Sequence, residues 1–374
     1  MSRQRTFFAL ALMSVFLSLP ALAERMLVTS DLHLTMETAL HTPALKALGE
    51  AGRDCDVLLF LGDDTNNAHD EEHRYFLNTL EAYKRLTDAE IYVLPGNHDL
   101  SGRLGPQEFA KLYHAWGYEG ALSRDEASAS YAVLTAGGTC LLMMDTNAYT
   151  DLGTVAGKGG IGESTIAWAE SVLSGLPEGT PVVACGHHPL LPPESRYETT
   201  NCGLLASVFE KAGVPLYLCG HDHGFAAVRG EKLQQITVGQ PHAFPGWAGI
   251  LEVDAEEMRW QVISLYETGD PYYQTMEENS IRLGLVMAES ALKDTQYEGD
   301  AGAAAWFTRA FNLMAREQLT PDICQELLAD PNADKWREIE PRSVVKRWMM
   351  SVLENCPMDP RSLTMRFSDA EGEP

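Results

Sequence analysis

The sequence predicts an α/β fold containing two β-sheets and followed by a helical C-terminal region. Three observations carry that expectation. Short apolar runs alternate with amphipathic helical stretches from residue 26 onward, the pattern of strand–helix–strand crossovers. Several of these runs are continuously apolar, as in strands buried on both faces. Beyond residue 268 the strand-like runs stop and apolar residues recur at helical spacing.

Met26-Leu27-Val28-Thr29 reads as the first strand and Asp56 to Leu61 as the second. Residues 42–50 between them read as a crossover helix, with Thr42-Pro43 as its cap and first-turn pair. A longer helix is expected from Asp70 to Leu86. Asp70, Glu71 and Glu72 in its first turn and Lys84 and Arg85 in its last suit the helix dipole, and Phe76, Leu80 and Tyr83 share one face. Ile91 to Leu94 is the third strand, so the layer is largely parallel.

A helix near 106–116 precedes two β-rich runs, Ser130 to Thr135 and Thr139 to Asp145. The glycine-rich stretch Val155 to Gly162 lacks the Gly-x-x-x-x-Gly-Lys-Ser/Thr spacing of a phosphate loop. It reads as a mobile loop leading into a helix through Ile166, Ala169 and Leu173. Pro181 to Cys185 and Val214 to Cys219 are strands on either side of a helix from Leu204 to Lys211. Runs at 232–238, 248–254 and 258–265 read as antiparallel strands that would supply a second sheet packed on the first. After them, Ile281/Leu285/Ala288/Leu292, Ala303/Phe307/Phe311/Met314 and Val345/Trp348/Val352 mark three helices, and Thr320-Pro321 opens a shorter fourth. The chain is thus expected to divide into a domain at 24–268, which carries the chemistry, and an all-α appendage at 269–374.

The formal net charge of −25 excludes nucleic-acid polymers and anionic membrane surfaces as expected partners. An anionic ester remains compatible if bound cations reverse the field locally. Residues 1–23 read as a cleaved signal peptide: Arg3 and Arg5 start it, Phe7 to Leu19 is apolar, and Ala21-Leu22-Ala23 is the cleavage site. A periplasmic or secreted location and no membrane span in the mature form follow as expectations. Of the seven cysteines, Cys55, Cys140, Cys185 and Cys219 lie by or within strand-like runs and are expected to be buried thiols. Cys324 and Cys356 are the expected disulfide, with Cys202 left over.

The strand ends carry the chemistry. They present Asp31 and His33, Asp63, Asn97 and His98, His187, and His221 and His223. All are oxygen or imidazole donors, which suits two hard or borderline divalent ions such as manganese, iron or zinc. Two such ions about 3.5–4 Å apart form a clamp for displacement at phosphorus, and Asp63 is the natural carboxylate to bridge them.

The series Asp31-Leu32-His33, Gly62-Asp63-Asp64, Gly96-Asn97-His98-Asp99, Gly186-His187-His188-Pro189 and Gly220-His221-Asp222-His223 resembles the calcineurin-like metallophosphoesterase family over roughly residues 26–265. The resemblance implies a four-layer αββα sandwich, two mixed sheets flanked by helices. It implies one metal held by Asp31, His33, Asp63 and His223 and another by Asp63, Asn97, His187 and His221. His188 then falls beside the ligand position, as pocket wall or support. His98 matches the family's non-ligand histidine near the scissile phosphate, with Asp99 orienting it.

The implied reaction is in-line attack of activated water on a small soluble phosphate ester, with His98 assisting the leaving oxygen. Purple acid phosphatases are similar but carry a Tyr three residues after the bridging Asp, where this chain has Asn66, so no tyrosinate colour is expected. Asn67, Asn147, Tyr149, Arg196 and His242 are on loops that could line the pocket. The alternatives are a cyclic-nucleotide or lipid-headgroup phosphodiesterase and, from another class, a non-catalytic module whose metals only scaffold a binding surface.

Overall fold

The computed structural model describes residues 23–150, 153–191, 199–315, 319–339, 344–355 and 358–367. The chain opens with β1 (Glu24–Thr29), α1 (Thr38–Ala51), β2 (Val57–Phe60), α2 (Asp70–Leu86) and β3 (Glu90–Val93). Two short helices, α3 (Asn97–Leu100) and α4 (Pro106–Leu112), lead to β4 (Ser123–Arg124), β5 (Tyr131–Leu134) and β6 (Cys140–Met144). Then come β7 (Asn147–Thr150), β8 (Gly153–Gly159), α5 (Glu163–Gly175), β9 (Val182–Gly186), α6 (Cys202–Lys211), β10 (Leu216–Cys219), β11 (Ala226–Arg229) and β12 (Gln234–Thr237). The last part holds β13 (Trp247–Val253), β14 (Glu257–Ser264), α7 (Pro271–Leu292), α8 (Ala301–Ala315), α9 (Pro321–Ala329), α10 (Pro331–Glu338), α11 (Val344–Asn355) and β15 (Ser362–Arg366).

Two mixed sheets result. One runs β15-β14-β13-β1-β2-β3 and the other β11-β12-β10-β9-β6-β5-β4. β1, β2 and β3 are mutually parallel, as the alternation with helices requires. In the second sheet β6, β9, β10 and β12 form the parallel centre. Side chains alternate across that sheet. Leu141 and Met143 of β6, and Leu216 and Leu218 of β10, join the large core shared with the first sheet. Leu142, Met144, Tyr217 and Cys219 join a separate core with Ile166 and Ala169 of α5 and Phe209 of α6. The layered αββα expectation is met.

Four local readings change. The runs at 248–254 and 258–265 do pair antiparallel, but they extend the first sheet through β1. The run at 232–238 instead lies in the second, parallel to β10 and antiparallel to β11. Composition could not assign any of them to a sheet, because pairing depends on distant residues. The glycine-rich stretch is a strand, β8, paired antiparallel with β7. The crossover helix α1 starts at Thr38, so Pro43 sits inside it rather than in its first turn.

The region after residue 268 is helical in its long elements and has its own core. Trp336 is fully buried there among Phe307, Trp306 and Leu327, and its indole N–H donates to the Ala303 carbonyl at 2.9 Å. That region also ends in a strand the sequence did not suggest. β15 pairs antiparallel with β14 and returns the chain to the edge of the first sheet, so reading 269–374 as all-α missed one element. Trp260 of β14 donates its indole N–H to the Pro360 carbonyl at 2.8 Å, which fastens this return.

Cys55, Cys140, Cys185 and Cys219 are buried, as expected. Residues 1–22 and Cys356 lie outside the described residues, and with them the expected signal peptide and the Cys324–Cys356 pairing. No helix among the described residues is long and apolar enough to cross a membrane.

Candidate metal centre

The predicted residues follow the carboxyl ends of β1, β2, β3, β9 and β10, so both sheets aim their loops at one place. The backbone ties these loops together: Asp31 N–H donates to Gly62 O at 2.9 Å, His33 N–H to Asp63 O at 2.8 Å, and Gly220 N–H to His187 O at 2.9 Å. Asp31, His33, Asp63, His221 and His223 all have positive φ, between 43° and 74°. Such left-handed backbone costs about 1–3 kcal/mol per non-glycine residue and persists where surrounding contacts enforce it. Here the crossed loops do so. Their crowding also explains the motif glycines. A Cβ on Gly96 would overlap the Asp63 backbone and carboxylate, and one on Gly220 would overlap Ser30 Oγ and Asp31 Oδ2.

Donor atoms of Asp31, His33, Asp63 and His223 all lie within 4.8 Å of one another. His33 Nε2 is 3.0 Å from His223 Nε2 and 3.7 Å from Asp31 Oδ1, while His223 Nε2 is 3.5 Å from that same oxygen. A second cluster, His187, His188 and His221, meets the same 4.8 Å limit. Asn97 belongs beside it, with Oδ1 at 3.1 Å from His221 Nδ1. Asp63 joins the clusters through one atom: its Oδ2 lies 3.7 Å from His33 Nε2 and 3.2 Å from His187 Nε2.

Two divalent ions fit this donor set. Imidazole nitrogens that face one another, and carboxylates closed off from water, suit a shared cation. His188 Nε2 is buried without a hydrogen-bond partner, and its ring lies 4.4 Å from that of His221. Reading His188 as mere support therefore undersold it: its free nitrogen faces the same cluster.

Burial works against charge on Asp63, but the His187 charge and hydrogen bond, with His33 and His98, hold its carboxyl well below the ordinary range. Burial likewise opposes charge on His187, and Asp63 overcomes it, pushing the imidazole up to about 9. In contrast, burial and the neighbouring His187 take His221 down to about 3, and burial with His221 takes His188 well below its ordinary value. Asp64, next to Asp63, is raised well above the carboxylate range by burial and by Asp99, Asp63 and Asp31.

The imidazoles are aimed by groups the sequence reading did not assign. Leu61 O accepts from His187 Nδ1 at 2.9 Å. Thr146 Oγ1 lies 3.0 Å from His188 Nδ1 and accepts from the His187 and His188 backbone N–H groups. Asn66 contacts His33 Nδ1 through its side-chain oxygen at 3.2 Å and accepts from His98 Nδ1 through its carbonyl at 2.7 Å. The expectation that Asp99 orients the His98 ring is corrected by that last bond. Asp99 instead accepts from Thr65 N, Thr65 Oγ1 and Gly96 N, bracing the loop rather than the imidazole. Main-chain acceptors carry no side-chain signal, although Asn66 and Thr146 sit beside motif residues and were open to notice.

Of the loop candidates, Asn67 binds Glu72 at the start of α2, and Asn147 donates to Pro95 O and Asp145. The Tyr149 hydroxyl donates to Asp145. Arg196 lies outside the described residues. His242 shares a cavity wall with His223.

The calcineurin-like phosphoesterase family model matches residues 24–225, over half of the chain, and the chain belongs to that family. It is 26% identical over 193 residues to the "Probable glycerophosphodiester phosphodiesterase GpdQ" of Arcobacter nitrofigilis, covering 50% of this chain and 63% of that protein. It is 25% identical, also over 193 residues, to tartrate-resistant acid phosphatase type 5 of Rattus norvegicus, covering 47% of this chain and 58% of that one. The match thus spans about three-fifths of each curated relative. A crystal structure of a dimetal phosphatase from Danio rerio aligns at 14% identity and TM-score 0.49, over 66% of this chain and 98% of that one.

Proposed function

We propose that this protein is a dinuclear-metal phosphoesterase that hydrolyses a small phosphate ester. The observation that carries the proposal is Asp63, whose single Oδ2 atom reaches both donor clusters. In this reading Asp31, His33, Asp63 and His223 hold one ion, and Asp63, Asn97, His187 and His221 hold the other. Bound divalent ions would supply Lewis acidity and lower the pKa of water at the site.

The chain's own groups do the rest. His98 is fixed by the Asn66 carbonyl through Nδ1, which leaves Nε2 to donate to a phosphoryl or leaving oxygen. Its ring lies 4.7 Å from that of His33, within reach of a substrate held there. Asp99 keeps the Asn97–His98 turn in place through Thr65 and Gly96. Donor nitrogens and carboxylates locked by their own hydrogen bonds need little rearrangement during the reaction.

The relatives include a phosphodiesterase and an acid phosphatase by name, so the ester class belongs to the test. Metal analysis of the purified protein is paired with p-nitrophenyl mono- and diesters, with and without added manganese. Two equivalents of metal and hydrolysis of at least one ester class support the reading. Metal-replete protein inert on the whole panel overturns it in favour of a binding module. Export belongs to the same proposal, on the strength of Arg3, Arg5 and the apolar run that follows. It predicts mature protein beginning near Glu24, read by N-terminal sequencing of an extracytoplasmic fraction.

A further inference from the structure

A cavity of about 600 Å³ lies between the catalytic sandwich and the helical region. That size is typical of small-molecule sites. Its two ends differ. At one end are Asp222, His223 and His242, so the cavity is continuous with the metal centre. The other end is walled by Phe244, Met287, Phe311, Met314 and Trp348, contributed by the β12–β13 loop and by α7, α8 and α11. Leu283 also lines it and is 51% exposed, which puts the opening on the α7 side.

We propose that this cavity receives the hydrocarbon part of the substrate, so that the enzyme acts on an amphiphilic phosphate ester with its phosphoryl group at the metal centre. The inference rests on the phosphoesterase reading and names its substrate class. A small polar alcohol would leave the aromatic and methionine walls wetted, whereas a hydrocarbon would keep them dry. Thioether side chains reshape around ligands at low cost, which suits chains of varied length. The one carboxylate and both imidazoles of the lining belong to the 222–242 stretch beside the metal centre, whereas α7, α8 and α11 contribute mostly apolar side chains. The charged group and the hydrocarbon therefore have different places to sit. Hydrolysis adds water across the P–O bond: the hydroxyl goes to phosphorus, the bond to the alcohol oxygen breaks, and the departing oxygen takes the proton. The helical region then has a role, because without α7, α8 and α11 the apolar end loses most of its walls.

The test uses full-length, metal-loaded protein and two series, n-alkyl phosphates and p-nitrophenyl n-alkyl phosphates, from methyl to octyl and below their micelle concentrations. In the hydrolysed series, kcat/KM is expected to rise about fourfold per methylene that enters the cavity. A flat dependence with measurable hydrolysis overturns the inference and leaves the phosphoesterase reading standing. Calorimetry with methyl- and octylphosphonate reads the cavity without turnover, and equal affinities also overturn the inference. If no ester is hydrolysed, the function reading fails, while tighter octylphosphonate binding still supports the cavity assignment. Two variants locate the effect: Leu283→Glu at the half-exposed mouth and Met314→Trp within the walls. Each should lower the octyl-to-methyl ratio at least about fivefold, and ratios unchanged in both variants place the chain elsewhere and reject the inference.

Discussion

Asp31, His33, Asp63 and His223 make one half of the site from two carboxylates and two imidazoles, and the His223 side chain is 35% exposed. His187, His188 and His221 make the other half from imidazoles alone, all buried. The first half carries anionic charge that a dication would compensate directly. In the second, burial and the neighbouring His187 charge favour the neutral forms of His188 and His221, which is the form that ligates metal. One half therefore attracts a cation by charge and the other through the lone pairs of His188 and His221. Asp63 belongs to both, and its ionisation supports His187 on one side and His33 on the other.

The sharpest way to break this division is to remove what the halves share. Asp63→Ala should abolish the bridge, lowering kcat/KM by about 10³-fold or more and metal content from two equivalents to one or fewer, read by elemental analysis. Retention of two ions would mean the halves do not depend on Asp63. His98→Ala leaves both donor sets in place, so metal content should stay at two equivalents while kcat falls about 10²–10⁴-fold. A parallel loss of metal would assign His98 to the carboxylate half instead.

The supporting groups separate the halves. Asn66→Ala should weaken only the carboxylate half, through His33, and Thr146→Val only the imidazole half, through the His187–His188 backbone that its hydroxyl holds. Each should lower the affinity of one ion about 10–100-fold in a chelator competition, leaving the other ion unaffected. Equal weakening of both ions by either variant would argue against independent halves.

The smallest effect concerns His242, which lies beside the site and is pushed down to about 3 by burial and by His41, His33 and His223. A histidine with a depressed folded-state pKa binds fewer protons folded than unfolded. Its neutral burial therefore contributes stability above about pH 6.5, and that contribution is lost as pH falls toward 3. Between pH 7.5 and 5.5, metal-free wild-type protein should lose about 1 kcal/mol more stability than His242→Gln, measured by urea unfolding. Equal losses would show that His242 does not stay neutral over that range.

Much of the site was legible before any fold was seen. Gly-Asp, Gly-Asn-His-Asp and Gly-His-Asp-His after apolar runs are local patterns, and a strand that ends in a ligand announces itself along the chain. Strand partners were less legible. Met258 to Leu265 alternates in the same way whether it joins the first sheet or the second, because pairing depends on residues far away in sequence. Asp99 illustrates the same limit at atomic scale. Adjacency to His98 suggested a hydrogen bond, whereas the turn into α3 points its carboxylate back to Thr65 and Gly96.

Which residue types would meet a cation, and at which strand ends, was determined by the sequence alone, since donor chemistry and the glycines beside it are local properties. That Asp63 shares one oxygen between two clusters, that Asn66 and Leu61 aim the rings with main-chain carbonyls, and that an apolar cavity opens off His223 were decided only by the tertiary structure. Each of these depends on segments separated by tens to hundreds of residues arriving within a few ångströms of one another, and no local pattern encodes that meeting.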